Sequence, residues 1–263
     1  MGKVIAFSNQ KGGVGKTTTC INVAAYVADT KKNVLIIDLD PQGNATTGLG
    51  FQKSTLEKSV YHVFNGAPVR ENTIPTQMDK LFLLPSSIDL AGTELEIANQ
   101  RGRERILSKA LTEAKNEYDY IFIDCPPSLG LITINAFVAS DSVIIPIQCE
   151  FYAMEGLSQL MNSIYLVKKH LNADLQVEGV VMTMYDGRAL ISRQICDEIR
   201  KHFSSVLYET MIPRNIRLSE APSYGKPILL HDPKSKGALA YLALTGEMLD
   251  RIERRDSAAA TSK

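Results

Sequence analysis

The chain has 263 residues, of which 44% are hydrophobic and 22% charged, so it can form one large α/β domain or two small ones and is not a disordered, collagen-like or coiled-coil sequence. Its 29 basic and 29 acidic residues cancel, which excludes an overall electrostatic attraction to nucleic acid or an anionic membrane and leaves only local patches. Four widely spaced cysteines and the lack of a run of about 18 apolar residues predict reduced thiols and a cytoplasmic protein without a membrane span.

Six strand-like runs alternate with helical patterns, an arrangement typical of a parallel sheet with crossover helices. Their aliphatic and β-branched residues are nearly continuous, which predicts strands that are covered on both faces. We therefore predict an α/β fold with a doubly wound, mostly parallel sheet and helices on both faces. The predicted strands are Val4–Ser8, Val34–Asp38, Leu81–Leu84, Tyr120–Asp124, Ser142–Ile147 and Val177–Met184.

Helical patterns fill the gaps between these strands, except for a region of weak signal from 43 to 77. Gly, Thr, Ser and Asn are frequent in that region, which predicts a surface excursion with one short helix at Leu56–Phe64. Because there is no internal repeat or linker, we predict a single domain over residues 1–255 and a disordered tail over 256–263. The other predicted helices are Thr17–Thr30, Arg101–Asn116, Met154–Leu171, Ser192–Phe203 and Gly237–Arg255.

A glycine-rich loop follows the first strand and leads into the first helix. Its end, Gly15-Lys16-Thr17, is typical of a P-loop: backbone N–H groups surround phosphate oxygens, Lys16 bridges phosphates and the Thr17 hydroxyl binds Mg²⁺. The strand-loop-helix context favours this prediction over a glycine-rich turn that binds no ligand. The candidate nucleotide-binding residues of the loop are Lys11, Gly12, Gly13, Val14, Gly15, Lys16, Thr17 and Thr18.

The start of this loop departs from the standard pattern. Gln10 stands where the standard motif has a glycine, and a second lysine, Lys11, follows it. Because Lys11 precedes the turn around the phosphates, its side chain is expected to leave the outer side of the loop, away from its own γ-phosphate. Two interpretations stay open: Lys11 binds a phosphate on a neighbouring subunit, or it is a solvated surface lysine.

Aspartates end two of the predicted strands, at the edge where nucleotides bind in open parallel sheets. Asp124 ends a run of apolar residues, the Walker B arrangement, in which the carboxylate holds Mg²⁺ directly or through water. Asp38 and Asp40 alternate on one face at the end of the second strand. Asp40 is the candidate for orienting the attacking water, whereas a capping or turn role suits Asp38 better. The candidate magnesium-site residues are Thr17, Asp124 and Asp40.

Four motifs follow one another in the order and at the separations of a known family. They are Lys11-Gly12-Gly13-Val14-Gly15-Lys16-Thr17-Thr18, Asp38-Leu39-Asp40-Pro41-Gln42-Gly43-Asn44, Asp124-Cys125-Pro126-Pro127 and Ile212-Pro213-Arg214-Asn215. With them the sequence resembles the ParA/MinD group of deviant-Walker ATPases, and within it the chromosomal ParA proteins of the Soj type. The resemblance extends from Met1 to about Arg251.

This resemblance implies an ATPase that uses ATP and Mg²⁺ and forms a sandwich homodimer when ATP is bound. Catalytic roles are implied for Lys11, which reaches the partner's nucleotide, for Lys16, which binds phosphates, and for Asp40, which positions water. Thr17 serves Mg²⁺ and Asp124 is the Walker B acid. Hydrolysis is expected to be slow, because no independent general base is evident.

Outside the phosphate site, the resemblance places Pro213 and Asn215 against the adenine. It implies that the dimer binds double-stranded DNA without sequence preference through Arg188 and Arg217, and is associated with the nucleoid. A ParB-type centromere-binding protein is the implied partner, with an N-terminal segment that stimulates hydrolysis.

Nine basic and six acidic residues between 186 and 236 give a local net charge of +3, which favours a DNA surface over incidental surface ion pairs. Arg188 is followed by Ala189, Leu190 and Ile191, whereas members of the family commonly have a polar Thr-Asn pair there. The sequence therefore departs from the family in this loop.

Three alternatives from other classes differ in the residues that they require. A MinD-like membrane-cycling regulator needs a basic amphipathic C-terminal helix, whereas the apolar stripe here, which includes Leu242, Met248 and Ile252, lies on a helix with acidic residues. That stripe favours packing against the core and predicts no membrane binding. A noncatalytic ATP-gated DNA-binding scaffold would bind without turnover, and Asp40 argues against it. An iron–sulfur reductase needs paired cysteines, and only Cys125 is suitably placed.

Overall fold

The structure is a computed structural model that describes residues 1–150 and 153–261. Within them, one sheet contains seven strands: β1 (Lys3–Phe7), β2 (Val34–Asp38), β3 (Ile74–Pro75), β4 (Leu81–Leu84), β5 (Tyr120–Asp124), β6 (Ser142–Gln148) and β7 (Gln176–Thr183). The spatial order is β3-β4-β2-β5-β1-β6-β7, and every neighbouring pair is parallel except β3–β4. The α/β prediction is confirmed, and each of the six predicted strands lies within one residue of its observed bounds.

The central strands are apolar over most of their length because both faces of the sheet are covered. Successive side chains of a strand point to opposite faces, and in β2 Leu35 and Ile37 join one buried cluster while Val34 and Ile36 join the other. All four are fully buried. The sheet thus has a separate hydrophobic core on each face, as expected for parallel strands between two layers of helices.

Twelve α-helices are found in the described residues. On one face α1 and α12 pack against each other, and on the other face α6, α7 and α8 pack together. Their bounds are α1 (Lys16–Asp29), α2 (Asn44–Gly48), α3 (Val60–Phe64), α4 (Val69–Asn72), α5 (Leu90–Glu96), α6 (Ile106–Glu117), α7 (Leu131–Ala139), α8 (Ala153–His170), α9 (Leu190–Phe203), α10 (Ile216–Glu220), α11 (Ile228–His231) and α12 (Lys236–Thr261). Short 3₁₀ turns occupy Lys53–Thr55, Arg103–Arg105 and Ala221–Tyr224.

The region from 43 to 77 contributes to the core, so its prediction as a surface excursion was wrong. Val60, Val63 and Phe64 of α3 are at most 3% exposed and belong to the larger cluster. The short helix predicted at Leu56–Phe64 is observed as α3, which begins at Val60, but the polar residues around it concealed its burial. β3 was also missed, since a two-residue edge strand ending in proline carries almost no periodic signal.

The C-terminal helix differs from the prediction in two ways. It continues to Thr261, so residues 256–261 are helical instead of disordered, and only Ser262 and Lys263 of the predicted tail lie outside the described residues. Two features favour the extension: alanine is the best helix former, and Asp256 accepts a 2.7 Å hydrogen bond from Lys3. In addition, Leu242 is 53% exposed, so it does not belong to the buried stripe formed by Met248 and Ile252.

The four cysteines are free and buried, as expected for reduced thiols. None of the helices in residues 1–150 and 153–261 is both long enough and apolar enough to cross a membrane.

Candidate active site

The loop between β1 and α1 has the backbone of a phosphate cradle. Gly13 and Gly15 have φ angles of +75° and +84°, in the left-handed region where glycine carries no steric penalty. Gly12 differs, because a Cβ added there would meet no atom within 4 Å. Gly13 and Gly15 are therefore required by the backbone of this chain, whereas Gly12 is not.

Lys16 begins α1 and turns its ammonium back into the loop. Its Nζ donates a 3.1 Å hydrogen bond to the backbone oxygen of Lys11, and the residue is only 7% exposed. Burial lowers the pKa of Lys16, while the nearby carboxylate of Asp124 opposes this change. The ammonium therefore lacks full solvation and is placed to gain from a phosphate anion.

The side chains of Thr17 and Asp124 meet next to Lys16. Thr17 Oγ1 donates to Asp124 Oδ2 at 2.7 Å. Asp124 Oδ1 is buried and has no hydrogen-bond partner among the described residues. Burial, followed by the charge of Asp38, raises the pKa of Asp124 well above its usual range. A buried carboxylate with a free oxygen beside a threonine hydroxyl suits a hard cation, so these two residues fit Mg²⁺.

The two aspartates at the end of β2 have different surroundings. Strand pairing places Asp38 level with Asp124. The Asp38 carboxylate accepts hydrogen bonds from the backbone N–H and hydroxyl of Thr46, at 2.8 and 2.7 Å, and another from the N–H of Asp40 at 3.2 Å. Burial nevertheless raises the pKa of Asp38 to about 6. Asp38 thus holds the turn after β2, in agreement with the capping role that suited it.

Asp40 lies on the wall of a cavity that also contains the phosphate loop. Its Oδ1 accepts a 2.9 Å hydrogen bond from the N–H of Gln42, and Lys16 and Thr17 line the same cavity of about 450 Å³. Among the described residues that line it, Asp40 is the only acidic one. The arrangement leaves Asp40 able to accept a hydrogen bond from a water molecule beside the loop.

A second cavity of about 450 Å³ adjoins the first, and Gly15, Thr18 and Met184 border both. Pro213 and Asn215 line this second cavity. Asn215 caps α10 by accepting a 2.9 Å hydrogen bond at Oδ1 from the N–H of Arg217. The apolar walls and the position beside the loop suit a nucleobase.

Thr183, Met184 and Tyr241 are among the residues of the second cavity that sequence reasoning did not assign to the site. Thr183 ends β7, and the expectation that ligands bind at the carboxyl ends of parallel strands could have identified it. Tyr241 lies in the middle of a helix, where its pattern indicated only packing. It makes a 3.1 Å hydrogen bond to Thr19 of α1.

In the described residues, the side chain of Lys11 has its hydrogen bond and ion pair with Glu150 and not with its own loop. Its ammonium forms an ion pair with Glu150, which follows β6, and both side chains are close to half exposed. Its N–H donates to Asn9 Oδ1 at 3.0 Å. Glu150 therefore holds the Lys11 ammonium at the surface of the chain.

Arg188 and Arg217 lie on two neighbouring segments, and other residues of these segments, Met184 and Ile216 among them, line the second cavity. Tyr185 connects these segments, because its N–H donates to the Ile212 oxygen at 3.0 Å and its oxygen accepts from the Arg214 N–H at 3.3 Å. Each arginine has a carboxylate of its own segment as a partner: Asp186 for Arg188, at 3.0 Å, and Glu220 for Arg217, at 2.8 Å.

Comparison with known proteins gives consistent matches. A family model described as an AAA domain matches residues 2–177. The chain is 55% identical to the sporulation initiation inhibitor protein Soj of Bacillus subtilis, over 94% of this chain and 98% of that protein. It is 52% identical to the chromosome partitioning protein ParA of Myxococcus xanthus, over 95% and 89%.

A solved structure with the same fold contains the ligands that suit the candidate site. Cobyrinic acid a,c-diamide synthase from Mycobacterium smegmatis, with bound ATP analogue and magnesium, superimposes with a TM-score of 0.83. It is 35% identical over 96% of both chains.

Proposed function

The chain belongs to the ParA and Soj family of chromosome-partitioning ATPases, and on that basis we propose that ATP binding makes it a dimer that attaches to DNA. It hydrolyses ATP and uses Mg²⁺. The observation that carries the proposal is the partly buried Thr17–Asp124 hydrogen bond, beside which the buried Asp124 Oδ1 has no partner in the described residues. These groups form a place for a metal–phosphate pair at the carboxyl edge of the sheet.

In this proposal each residue around the loop has a separate role in hydrolysis. Lys16 offsets charge on the phosphates, while Thr17 and Asp124 hold Mg²⁺. The ion, when bound, neutralises charge that develops on the phosphate oxygens. Asp40 accepts a hydrogen bond from water and directs it at the terminal phosphate. Turnover is slow, because catalysis depends on positioning and charge neutralisation without an independent general base.

The proposed dimer uses Lys11 across the subunit interface. Within one chain the Lys11 ammonium is paired with Glu150 at the surface, where an ion pair contributes little to stability. The phosphates of a partner's nucleotide are a more highly charged acceptor. Lys11 therefore exchanges Glu150 for the partner's phosphate when two subunits close around ATP, and Gly12 allows their close approach.

The second cavity holds the base in this proposal, with Pro213 and Asn215 against the adenine. The adjoining Arg188 and Arg217 contact DNA phosphates without reading sequence. Their ion pairs with Asp186 and Glu220 are exposed, and such pairs are weak enough for a phosphate to displace the carboxylate. A dimer doubles the number of these contacts, so attachment to DNA follows ATP binding.

We also propose a single ATPase domain over residues 1–255, a cytoplasmic and nucleoid-associated location, and no membrane partner. A ParB-type centromere-binding protein stimulates the slow hydrolysis through its N-terminal segment. The MinD-like alternative gives a different outcome, because it requires ATP-dependent binding to liposomes in place of DNA.

Molar mass in solution tests the dimer. Light scattering should give about twice the 29.0 kDa chain mass with a nonhydrolysable ATP analogue and Mg²⁺. With ADP and Mg²⁺ it should give the mass of one chain. A single-chain mass in both nucleotides would contradict the proposal.

A further inference from the structure

A hydroxyl on the edge strand of the sheet holds one peptide of the phosphate loop. Thr183, the last residue of β7, donates from Oγ1 to the backbone oxygen of Val14 at 2.7 Å. Thr183 is 2% exposed and lies 169 residues further along the chain. β7 is separated from β1 by β6, so this hydrogen bond reaches the loop from outside the β1–α1 unit that forms it.

This hydrogen bond fixes the direction of an N–H group as well as that of a carbonyl. A trans peptide is planar, so its C=O and its N–H point in opposite directions. With the Val14 oxygen directed at Thr183, the N–H of Gly15 in the same peptide points away from Thr183, and Gly15 lines the cavity that contains the phosphate loop. In the described part of the chain no hydrogen bond uses that N–H, which leaves it available to a phosphate oxygen.

The peptide needs such a restraint because glycine provides none. Gly15 has a φ of +84°, and glycine adopts positive and negative φ with similar ease. Rotation of the Val14–Gly15 peptide would turn the carbonyl towards the phosphates and the N–H away from them. The Thr183 hydroxyl opposes this rotation, since it would leave a buried donor and acceptor unpaired.

The start of the loop is restrained in a similar way by Asn9. Its Nδ2 donates to the Pro146 oxygen of β6 at 2.7 Å, and its Oδ1 accepts from the N–H of Lys11 at 3.0 Å. The loop is thus tied to β6 at its start and to β7 at its end.

We propose that Thr183 is a positioning residue for nucleotide binding, whose hydroxyl directs the Gly15 N–H at a phosphate. This inference rests on the proposal that the loop from Asn9 to Lys16 binds phosphates. It predicts an effect on affinity for both ATP and ADP, because the loop encloses phosphates that both nucleotides contain.

The test replaces Thr183 by valine, which keeps the branched shape and removes the hydroxyl. Loss of one buried hydrogen bond should raise the dissociation constants of MgATP and MgADP, and KM, by about three- to tenfold. At saturating ATP, kcat should change by less than about twofold, since the contact is made in the ground state and the transition state alike. Thr183→Ser keeps the hydroxyl and should bind nucleotide as the wild type does.

Thr245→Val is the matched control. Thr245 is also a buried threonine, and its hydroxyl donates to the Tyr241 oxygen at 2.8 Å within α12. Both valine variants lose a hydroxyl-to-carbonyl hydrogen bond, so both should lower the melting temperature, and only Thr183→Val should weaken nucleotide binding. Equal nucleotide affinity in the two variants would overturn the inference. If Thr183→Val does not fold, Thr183→Cys replaces it, because a thiol is a weaker donor than a hydroxyl. Thr183→Cys should bind nucleotide with an affinity between those expected for the wild type and Thr183→Val. Wild-type affinity in Thr183→Cys would also overturn the inference.

Lys16→Ala separates a failure of this inference from a failure of the proposed site. Its ammonium is expected to be essential for nucleotide binding, because it neutralises phosphate charge. Wild-type affinity in Lys16→Ala would mean that the loop is not the phosphate site. Loss of binding in Lys16→Ala, with unchanged affinity in Thr183→Val, would reject only the role of Thr183.

Discussion

Thr17 and Asp124 are 107 residues apart in sequence, and their side chains share a hydrogen bond of 2.7 Å at the carboxyl edge of the sheet. The bond uses one oxygen of Asp124, and the other is buried without a partner in the described residues. A buried carboxylate that accepts only one hydrogen bond is costly for the protein unless a cation joins it. We therefore regard this pair as the centre of the magnesium site.

Replacement of Asp124 by asparagine tests that assignment. The amide has nearly the same shape but lacks the charge that favours Mg²⁺, so the magnesium concentration for half-maximal hydrolysis should rise by about 10- to 100-fold. Hydrolysis rates across a magnesium series measure the change, and thermal unfolding checks the fold. An unchanged magnesium dependence would remove Asp124 from the metal site.

Asp40→Ala should separate binding from hydrolysis. The carboxylate contacts water and not the nucleotide in our proposal, so ATP affinity should change by less than about twofold. By contrast, kcat should fall by about 100-fold or more, because a group that acts in the transition state is lost. Nucleotide titration and single-turnover hydrolysis give the two values, and the variant should persist as a dimer in ATP and Mg²⁺. Normal turnover would exclude Asp40 from the reaction.

Gly12→Val should bind ATP as a monomer. A Cβ at Gly12 meets no atom within 4 Å in its own chain, so the fold tolerates the larger side chain and any defect arises from the approach of a second subunit. Light scattering with a nonhydrolysable ATP analogue measures the mass. Gly246→Val is the control, since its Cβ is equally free and lies in α12. A Gly12→Val dimer would mean that the subunits do not meet at this residue.

The stability of the nucleotide-free and magnesium-free protein should depend on Asp38 between about pH 4 and pH 6. Burial raises the pKa of Asp38 from 3.8 to about 6, so in this range the folded state binds more protons than the unfolded state. The free energy of unfolding therefore falls as pH rises, by on the order of 2 kcal/mol from this group.

Urea unfolding at several pH values tests this expectation. Asp38→Asn cannot ionise, so its free energy of unfolding should change less across the same range. Parallel pH profiles for the wild type and Asp38→Asn would show that Asp38 has an ordinary pKa in the folded protein.

The sequence predicted six of the seven strands in the described residues well because each of the six has an almost continuous apolar run, and this pattern changes abruptly at the ends of the strands. The helix α7 was missed because a helix that is buried on most sides lacks the polar face that gives a helical period. Ile132, Ala136 and Phe137 are among its buried residues. The extension of α12 was missed because small residues indicate a flexible end as readily as a helix.

For the site, the residues that belong to local motifs could be predicted. Asp124 and Lys16 are recognisable because each belongs to a motif of a few consecutive residues that indicates its chemical role. Thr183 and Tyr241 could not be identified in this way, since their roles depend on contacts with the β1–α1 unit through the tertiary fold. The partners of Arg188 and Arg217 are Asp186 and Glu220, two and three residues away in sequence. By contrast, the proximity of the two segments that contain these arginines became visible only in the tertiary fold.

Retention on mixed-sequence duplex DNA across a salt series tests the central claim most directly, with ATP analogue, ADP or no nucleotide present. Each phosphate contact contributes about −0.9 to the slope of log affinity against log salt. Arg217→Glu removes one contact per subunit and introduces repulsion. Lys169→Glu makes the same change of charge at the exposed end of α8, away from the proposed surface, and serves as the control.

We predict that the wild type and Lys169→Glu bind DNA only with the ATP analogue, with little sequence preference and with steep weakening as salt rises. Arg217→Glu should form the dimer and hydrolyse ATP but not be retained. Equal retention in ADP, or undiminished retention of Arg217→Glu, would contradict the account. ATP-dependent binding to liposomes without retention on DNA would contradict it in favour of a membrane regulator.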